Sequence, residues 1–296
     1  MQTIAIIGLG LIGGSLGLAL RQAADEAGKP SSVVIGYDSD AQRLWQAEQR
    51  GVVDQTSEHL AEAVQEAQMV ILATPVLAMR GVLAEIAPHL RAGAIVTDTA
   101  STKAAVLGWA RELLPAGARF IGGHPMAGST GSLEEARPDL FKGAAYCLVT
   151  NRAANAGLSV DAEALQVVHD LIAGLGARPV LLDAETHDRC VAAISHLPFL
   201  TSIALVETVA DSAERELMRQ LASTGFRDAT RLAAGDPAMY QSIVLTNRAA
   251  ITAWLDAYME QLQTIRQMLQ SAQESGGEGL LALFKDAQQH RQEIMD

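Results

Sequence analysis

An apolar run leads directly into a glycine-rich segment close to the start of the chain, in Thr3-Ile4-Ala5-Ile6-Ile7-Gly8-Leu9-Gly10-Leu11-Ile12-Gly13. Its first five residues are a continuous apolar run, which is typical of a buried parallel strand. The glycines follow at once in the pattern G-x-G-x-x-G, and a helical pattern then runs from Ser15 to about Ala27. The first glycine permits a tight turn, the second lets a pyrophosphate approach the backbone, and the third lets the helix pack closely on the strand. The stretch therefore predicts a Rossmann-type nucleotide-binding domain.

A second strand indicates which dinucleotide would bind. The run Val33–Tyr37 ends at Asp38, an acidic residue placed to accept hydrogen bonds from both adenosine ribose hydroxyls. Its carboxylate would repel the 2′-phosphate of NADP, so we expect NAD as the cofactor. Asp38 could instead cap the helix that follows, but the preceding glycines favour ribose binding.

Two more apolar runs, residues 69–73 and 94–98, are followed by polar turns. Open α/β sheets bind ligands at the carboxyl ends of their strands. We therefore expect Thr74 and Ser101 to line the nicotinamide side of the site. Thr102 is expected only to cap the next helix, and Lys103 to be an ordinary charge on that helix.

A catalytic candidate comes next, in Gly123-His124-Pro125-Met126-Ala127-Gly128-Ser129. The stretch follows a short β-type run, 119–121, and its glycine and proline content predicts a loop. Loops carried by a rigid scaffold are where catalytic groups concentrate, so His124 is a candidate. The alternative is a turn in which His124 only caps a neighbouring carbonyl group.

The composition limits the class of protein. With 296 residues, 49% of them hydrophobic, the chain can bury a sizeable core and form two domains. The net charge of -12 argues against nucleic acid and anionic membrane surfaces as partners. Glycines interrupt the apolar run 4–20 and no Lys or Arg precedes it, so we expect neither a signal peptide nor a membrane span.

Only two cysteines occur, Cys147 and Cys190, which are too few for a disulfide framework or a cysteine metal cluster. We expect both to be small core residues of a protein in the reducing cytoplasm. No metal-ligand spacing occurs in the sequence, and we expect no metal.

The alternation of strands and helices stops near Asp183, and the rest of the chain has helical patterns. We therefore predict domains at 1–183 and 184–296. Pro198 marks a kink or a new helix start beside Ser195 and His196. A long apolar helix predicted from Asp236-Pro237 to about residue 270 favours a dimer interface.

Two arginines in this half, Arg227 and Arg231, lie four residues apart and share a face if the segment is helical. Guanidinium groups suit carboxylates, which makes the pair a candidate for binding an anionic substrate. The alternative is a pair of surface arginines, or Arg227 bridging Asp228.

Taken together, these motifs resemble the prephenate/arogenate dehydrogenase family of tyrosine biosynthesis, over about residues 3 to 268. The matching segments are Gly8–Gly13, Ala73-Thr74-Pro75, Asp98-x-x-Ser101-x-Lys103, Gly123-His124-Pro125-Met126-Ala127-Gly128, His187-Asp188, Ser195-His196-Leu197-Pro198 and Gly225-Phe226-Arg227-Asp228-x-x-Arg231. The resemblance implies an α/β Rossmann-type N-terminal domain plus an all-α C-terminal dimerisation domain, and a cytoplasmic homodimer. It also implies NAD as cofactor, held by Gly8, Leu9, Gly10, Leu11, Ile12, Gly13, Asp38, Ala73, Thr74 and Pro75.

The resemblance further implies roles for site residues. His124 accepts the proton of the substrate ring hydroxyl, Ser101 orients that hydroxyl, and Arg231 holds the ring carboxylate. Residues implied to surround the substrate are Ser129, Ser195, His196, Arg227 and Tyr240. One departure matters: some members have a second histidine where this chain has Phe199, which leaves the substrate side chain, pyruvyl or alanyl, open.

The activity implied is NAD-dependent oxidative decarboxylation of prephenate to 4-hydroxyphenylpyruvate, with arogenate, giving tyrosine, as the alternative substrate. A rival is another two-domain NAD-dependent hydroxyacid dehydrogenase, but such enzymes use a Lys-and-Asn pair that Asn247 with Arg248 matches only faintly. A second rival is a non-catalytic NAD-binding protein, against which His124 and Arg231 both count.

Overall fold

The computed structural model describes residues 2–27, 32–128, 131–150 and 162–295. The chain packs as two compact units, Met1–Arg248 and Ala249–Asp296. The first unit contains a single described sheet, in the order β3-β2-β1-β4-β5-β6-β7-β8. The strands are β1 (Thr3–Ile7), β2 (Val33–Tyr37), β3 (Gln55–Thr56), β4 (Met69–Leu72), β5 (Ile95–Asp98), β6 (Arg119–Pro125), β7 (Ala145–Val149) and β8 (Arg178–Leu182).

Helices cover both faces of this sheet. Alternate residues of β1 point to opposite faces: Ile4 and Ile6 join a core with α1, and Ala5 and Ile7 join a second core. The helices of the first unit are α1 (Leu11–Ala27), α2 (Ala41–Gln49), α3 (Leu60–Gln65), α4 (Val76–Ile86), α5 (Ala104–Leu113), α6 (Ala162–Gly174), α7 (Ala184–Val191), α8 (Leu197–Ala210), α9 (Arg215–Leu221), α10 (Thr224–Thr230) and α11 (Pro237–Thr246). The interiors of β1 and β4 are fully apolar because helices remove water from both of their faces.

Strand β6 changes partner and direction of pairing along its length. Residues 119–121 pair in parallel with β5, whereas residues 122–125 pair antiparallel with β7. The prediction that Gly123 and His124 lie in a loop was therefore wrong. Gly123 fits here because a Cβ on it would lie 2.3 Å from the Asp98 carbonyl oxygen. Pro125 is the last residue of the strand.

Between α7 and α8 the helix contains a π-turn at Ala192–His196. Helix α8 then begins with Pro198 in its first turn, as predicted for a kink or a fresh start. Residues 184–210 are, among the described residues, the one helical stretch long and apolar enough to cross a membrane. Its first half nevertheless carries His187, Asp188 and His196, all buried inside the protein. In all, 28% of the most apolar part of this stretch is buried in the protein.

The long helix predicted from Pro237 to about residue 270 is divided. Helix α11 ends at Thr246, Asn247 is its C-cap, and α12 begins at Arg248. The prediction of one helix was wrong because Asn247 turns inward, where its side chain is buried and donates to a backbone carbonyl group.

The second unit is made of the rest of α12, which spans Arg248–Ser275, and of α13 (Glu278–Met295). Along α12 the apolar side chains of Trp254, Tyr258, Leu262 and Leu269 are all exposed. Their spacings of four, four and seven residues place them on one side of the helix.

The two cysteines have different environments. Cys147 is buried in β7, as predicted, whereas Cys190 is exposed. The prediction of a core position for Cys190 was wrong because it lies on the outer face of α7, while His187 and Val191 occupy the buried face.

Candidate active site

The glycine-rich turn between β1 and α1 has the geometry that a dinucleotide requires. Gly8 has a φ of +98°, and a Cβ on it would lie 2.6 Å from the Ala73 carbonyl oxygen. A Cβ on Gly13 would lie 1.9 Å from the carbonyl oxygen of Gly8, so the helix could not pack as it does. Gly10 faces open space, with no atom within 4 Å of its Cβ position. This is where a pyrophosphate would approach the backbone, so the turn fits NAD. A cavity of about 360 Å³ lies beside the first turn of α1.

Asp38 is buried at the end of β2 and bound to this turn. Its Oδ2 accepts a hydrogen bond of 2.8 Å from the Leu9 N–H, and its Oδ1 accepts one of 3.0 Å from the Asp40 N–H. Arg43 approaches the same carboxylate to 3.3 Å. The cap of α2 is Asp40, which accepts from the Gln42 N–H, so Asp38 does not cap that helix.

Thr74 and Thr102 lie in the turns after β4 and β5, and Thr102 does not have the predicted capping role. The Thr74 hydroxyl is buried without a hydrogen-bond partner among the described residues. Such a group is available to a bound ligand. Thr102 does not cap α5, because its hydroxyl lies 2.8 Å from that of Thr246. The cap is instead the carboxylate of Asp188, which accepts from the N–H groups of Lys103 at 2.7 Å and Ala104 at 2.9 Å.

Lys103 is fully buried, so the prediction of an ordinary helix charge was wrong. Its ammonium group forms an ion pair with Asp98 and donates to the Gly123 carbonyl oxygen at 2.7 Å. Asp98 also accepts from the Gly123 N–H at 3.0 Å. Burial lowers the pKa of Lys103, and the neighbouring Asp98 carboxylate opposes this shift. The pair fixes the backbone immediately before His124.

His124 lies in β6 with its ring toward α7. Its Nδ1 is 2.9 Å from Nε2 of His187, and Nδ1 of His187 is 2.8 Å from Oδ1 of Asp188. Burial, followed by His187, Lys103 and His196, lowers the pKa of His124 well below 6.5. The imidazole is therefore neutral at physiological pH, as a proton acceptor must be.

His196 belongs to the same buried group. Its Nδ1 lies 3.3 Å from Nδ2 of Asn247, which also donates to the Asp188 carbonyl oxygen at 2.8 Å. Burial lowers the pKa of His196 to about 4. His196 is consequently a neutral hydrogen-bonding group and cannot serve as a cation at neutral pH.

A second group contains the arginine region. Arg227 lies in the last turn of α10, Arg231 starts the short turn that follows, and both are exposed. Arg231 is near enough to lower the pKa of Tyr240, although burial raises it more. The Tyr240 ring stacks on Phe199, with centroids 3.4 Å apart and planes 3° apart. Among the described residues, no hydrogen bond or ion pair joins this group to His124.

Two predicted substrate residues remain. Ser195 is exposed within the π-turn, and Ser129 lies outside the described residues. Lys103, Asp98 and Asp188 were not predicted to have separate roles in the site. A signal was present: Asp98 ends an apolar strand in which a lone carboxylate would need a partner, and Lys103 follows five residues later. Among the described residues, no group of three or more His, Cys, Asp or Glu side chains could hold a metal ion.

Family models match nearly the whole chain. The model described as "Prephenate dehydrogenase, nucleotide-binding domain" matches residues 16–181, and "Prephenate dehydrogenase, dimerization domain" matches residues 183–286. The chain belongs to the prephenate dehydrogenase family.

Individual members of the prephenate dehydrogenase family agree with this. A prephenate dehydrogenase of Bacillus subtilis is 34% identical over 98% of this chain and 75% of its own. Synechocystis arogenate dehydrogenase is 31% identical, with a TM-score of 0.81 over 99% of this chain and 100% of that one. The prephenate dehydrogenase from A. aeolicus, solved with hydroxyphenyl propionate and NAD+, is 26% identical, with a TM-score of 0.88 over 99% of this chain and 98% of that one.

These findings confirm the predicted family, the Rossmann-type domain followed by a helical dimerization domain, and an NAD-dependent oxidoreductase. The boundary at residue 183 stays a prediction. It coincides with the junction of the two matched ranges, whereas the first compact unit extends to Arg248.

Proposed function

We propose that the protein catalyses the NAD-dependent oxidative decarboxylation of prephenate to 4-hydroxyphenylpyruvate. The observation that carries the proposal is His124, which is neutral because desolvation lowers its pKa and which is held at the carboxyl end of the sheet by a hydrogen bond to its Nδ1. Its Nε2 forms no hydrogen bond with the described residues and is available to a substrate hydroxyl.

NAD would be held by the turn Gly8–Gly13, by Asp38 at the adenosine ribose, and by Ala73-Thr74-Pro75 beside the nicotinamide. The close packing of Gly8 and Gly13 and the open space at Gly10 support the first contact. The unpartnered Thr74 hydroxyl supports the last one. When bound, NAD+ supplies one item of chemistry: it accepts the hydride that leaves the ring carbon bearing the hydroxyl.

The substrate would lie between the nicotinamide and the helical half. In this proposal Ser101 orients the ring hydroxyl and Arg231 binds the ring carboxylate. Ser129, Ser195, His196, Arg227 and Tyr240 would line the rest of the pocket. An acidic chain of net charge -12 needs a local cation for a dianionic substrate, and exposed Arg231 can provide it.

The remaining steps transfer the hydroxyl proton to His124 and break the bond to the ring carboxylate. The hydroxyl proton passes to Nε2 of His124 as hydride leaves, and the ring carbon becomes a carbonyl carbon. The bond to the ring carboxylate breaks, CO2 departs, and the electron pair completes the aromatic ring as a phenolate. The phenolate takes the proton back from His124, so the base is regenerated and no net proton is consumed. Aromatisation drives the loss of CO2, and the protein positions the ring and accepts one proton.

We further propose that the enzyme is a homodimer in the cytoplasm. The dimerization-domain match and the exposed apolar side of α12, from Trp254 to Leu269, support the assembly. The predicted domain division at residue 183 belongs to the same proposal.

Arogenate is the second candidate substrate, favoured by the 31% identity to an arogenate dehydrogenase. Following NADH absorbance with NAD and either prephenate or arogenate tests the proposal directly. We expect turnover with prephenate, at a higher kcat/KM than with arogenate. Turnover of arogenate alone would reassign the substrate, and NAD binding without turnover of either would contradict the enzymatic proposal.

A further inference from the structure

Three side chains from two separate elements form one hydrogen-bonded row. His124 comes from β6, and His187 and Asp188 come from the first helix after the sheet, α7. The contacts are 2.9 Å between the two imidazoles and 2.8 Å between His187 and the carboxylate. His187 is completely buried, and Asp188 is 5% exposed. The rings of the histidines meet edge to face, with centroids 5.1 Å apart.

The hydrogen-bond directions in this row follow from its carboxylate end. Both oxygens of Asp188 accept backbone N–H groups at the start of α5, and a carboxylate has no hydrogen to donate. Nδ1 of His187 must therefore carry the hydrogen in its bond to Asp188. In a neutral imidazole the other nitrogen, Nε2, is then an acceptor.

This arrangement sets the tautomer of His124. Because Nε2 of His187 accepts, Nδ1 of His124 donates, and Nε2 of His124 is left with a bare lone pair. That is the nitrogen without a hydrogen bond among the described residues. The opposite assignment, with His187 doubly protonated, would put a hydrogen on Nε2 of His124 and make it useless as a base.

We propose that His187 and Asp188 are positioning residues that hold His124 in its basic tautomer, with Nε2 free to take the substrate proton. The inference rests on the proposed function, because it needs His124 to be the proton acceptor. A buried carboxylate that orients an imidazole base is a known way of fixing the tautomer of that base.

Asp188 has a second contact that decides how to test this. The same carboxylate accepts hydrogen bonds from the N–H groups of Lys103 and Ala104 at the start of α5, close after Ser101. Asn247 donates a hydrogen bond to the backbone carbonyl group of Asp188. Removing Asp188 would thus disturb the helix as well as the row. His187 is the cleaner residue to change.

The test uses His187→Phe and His187→Gln in the full-length protein, with His169→Phe as the matched control. His169 is also followed by an aspartate that its Nδ1 contacts, at 3.1 Å, but its side chain is 48% exposed. Phe keeps an aromatic ring but offers no acceptor, whereas the Gln carbonyl can accept the hydrogen of His124. Measured quantities are kcat, KM for prephenate, NAD affinity, and the pH profile of kcat.

We expect His187→Phe to lower kcat roughly 10–100-fold, as the loss of outer-shell partners of functional histidines does. KM and NAD affinity should stay near those of the unmodified protein, and His187→Gln should recover part of the rate. The acidic limb of the kcat profile should remain in His187→Phe, because His124 is still the proton acceptor. Combined with His124→Asn, the His187→Phe change should cause no further loss.

Several results would overturn the inference. They are an unchanged kcat per folded molecule, loss of the acidic limb, equal rates for the Phe and Gln variants, or additive losses in the double variant. If His187→Phe does not fold, the limb and the double variant measured with His187→Gln decide the matter. Failure of the proposed function would look different: no turnover of prephenate by the unmodified protein, or a full rate in His124→Asn alone.

Discussion

Two helices of this protein carry the same dipeptide, His-Asp, with different surroundings. In α6, His169 and Asp170 are 48% and 66% exposed and lie 3.1 Å apart. In α7, the side chains of His187 and Asp188 are 0% and 7% exposed and lie 2.8 Å apart. The further contact of the first pair, from Gln166 to Asp170, stays within α6. The second pair contacts other elements, with His124 on one side and the start of α5 on the other. The same two residue types therefore acquire a role where packing removes the water that would otherwise satisfy them.

Among changes to the row of His124, His187 and Asp188, the largest loss of kcat is expected at His124. His124→Asn should lower kcat by about 10²–10⁴-fold, the usual value of general-base catalysis. Asparagine can still hydrogen-bond the hydroxyl, so a residual rate and normal NAD affinity are expected.

The pH profile sharpens this prediction. His124 must be neutral to accept a proton, and burial lowers its pKa well below 6.5. The activity of the unmodified protein should therefore hold as pH falls to 6.5 and be lost only below it. The acidic limb should vanish in His124→Asn. A variant that kept the full rate and the limb would remove His124 from the mechanism.

The next largest effect is a loss of unfolding free energy, expected when the cation of a buried ion pair is removed. Lys103→Met leaves Asp98 buried without its cation, which should cost about 3–5 kcal/mol of unfolding free energy. Arg80→Met removes the cation of an exposed pair with Glu112, 57% and 55% exposed, and should cost less than about 1 kcal/mol. Urea denaturation of the two variants checks both values. Equal losses of unfolding free energy in the two variants would mean that burial does not determine the strength of these ion pairs.

An Arg231 variant shows whether bound substrate shields the Arg231 guanidinium from water. The residue is exposed in the free protein, so Arg231→Ala should leave stability nearly unchanged. Once a carboxylate covers the guanidinium, the charged hydrogen bonds are worth about 1.5–3 kcal/mol, so KM for prephenate should rise roughly 10–100-fold. Steady-state kinetics and NAD binding by titration measure the two effects. A KM equal to that of the unmodified protein would place the carboxylate elsewhere.

The smallest effect is expected at Asp38, a buried carboxylate with one exposed partner, Arg43. Asp38→Ser removes the repulsion toward a 2′-phosphate and frees Arg43 to face it. Loss of a charged hydrogen bond to the ribose is worth about 1.5 kcal/mol, so the preference for NAD over NADP should narrow about tenfold. The ratio of kcat/KM values for the two cofactors measures it, and an unchanged ratio would argue against ribose binding by Asp38.

Much of the fold could be predicted because its signals are local. The apolar runs before Gly8, Asp38 and Thr74 each correspond to a strand, since strands buried on both faces must be apolar throughout. The strand at Gly123 could not be predicted in this way. It depends on a close approach to the Asp98 carbonyl group that only a glycine allows, and no local pattern encodes that contact.

The site was predictable to a smaller extent. The motifs and the family resemblance singled out His124, but the side chain that holds its ring is His187, 63 positions away in the sequence. Lys103 was misjudged because a lysine at a helix start is usually exposed. Its burial depends on Asp98 and the Gly123 carbonyl group, which only the folded sheet brings to it. Asn247 was missed because nothing local distinguishes an inward-turned cap from a helix interior.

The π-turn at Ala192–His196 changes which side chains of the continuous helix face the protein interior. Each α-helical residue advances the helix by about 100°, so one extra residue in a turn rotates everything after it by about that angle. Before the turn the helix presents His187 to His124, and after the turn it presents Phe199 and Ser202 to the protein interior. A homologue with one residue fewer here would keep an unbroken helix but present a different set of side chains beyond it. A single-residue gap at this point of an alignment would thus mark a rebuilt pocket wall, even where every later residue is identical.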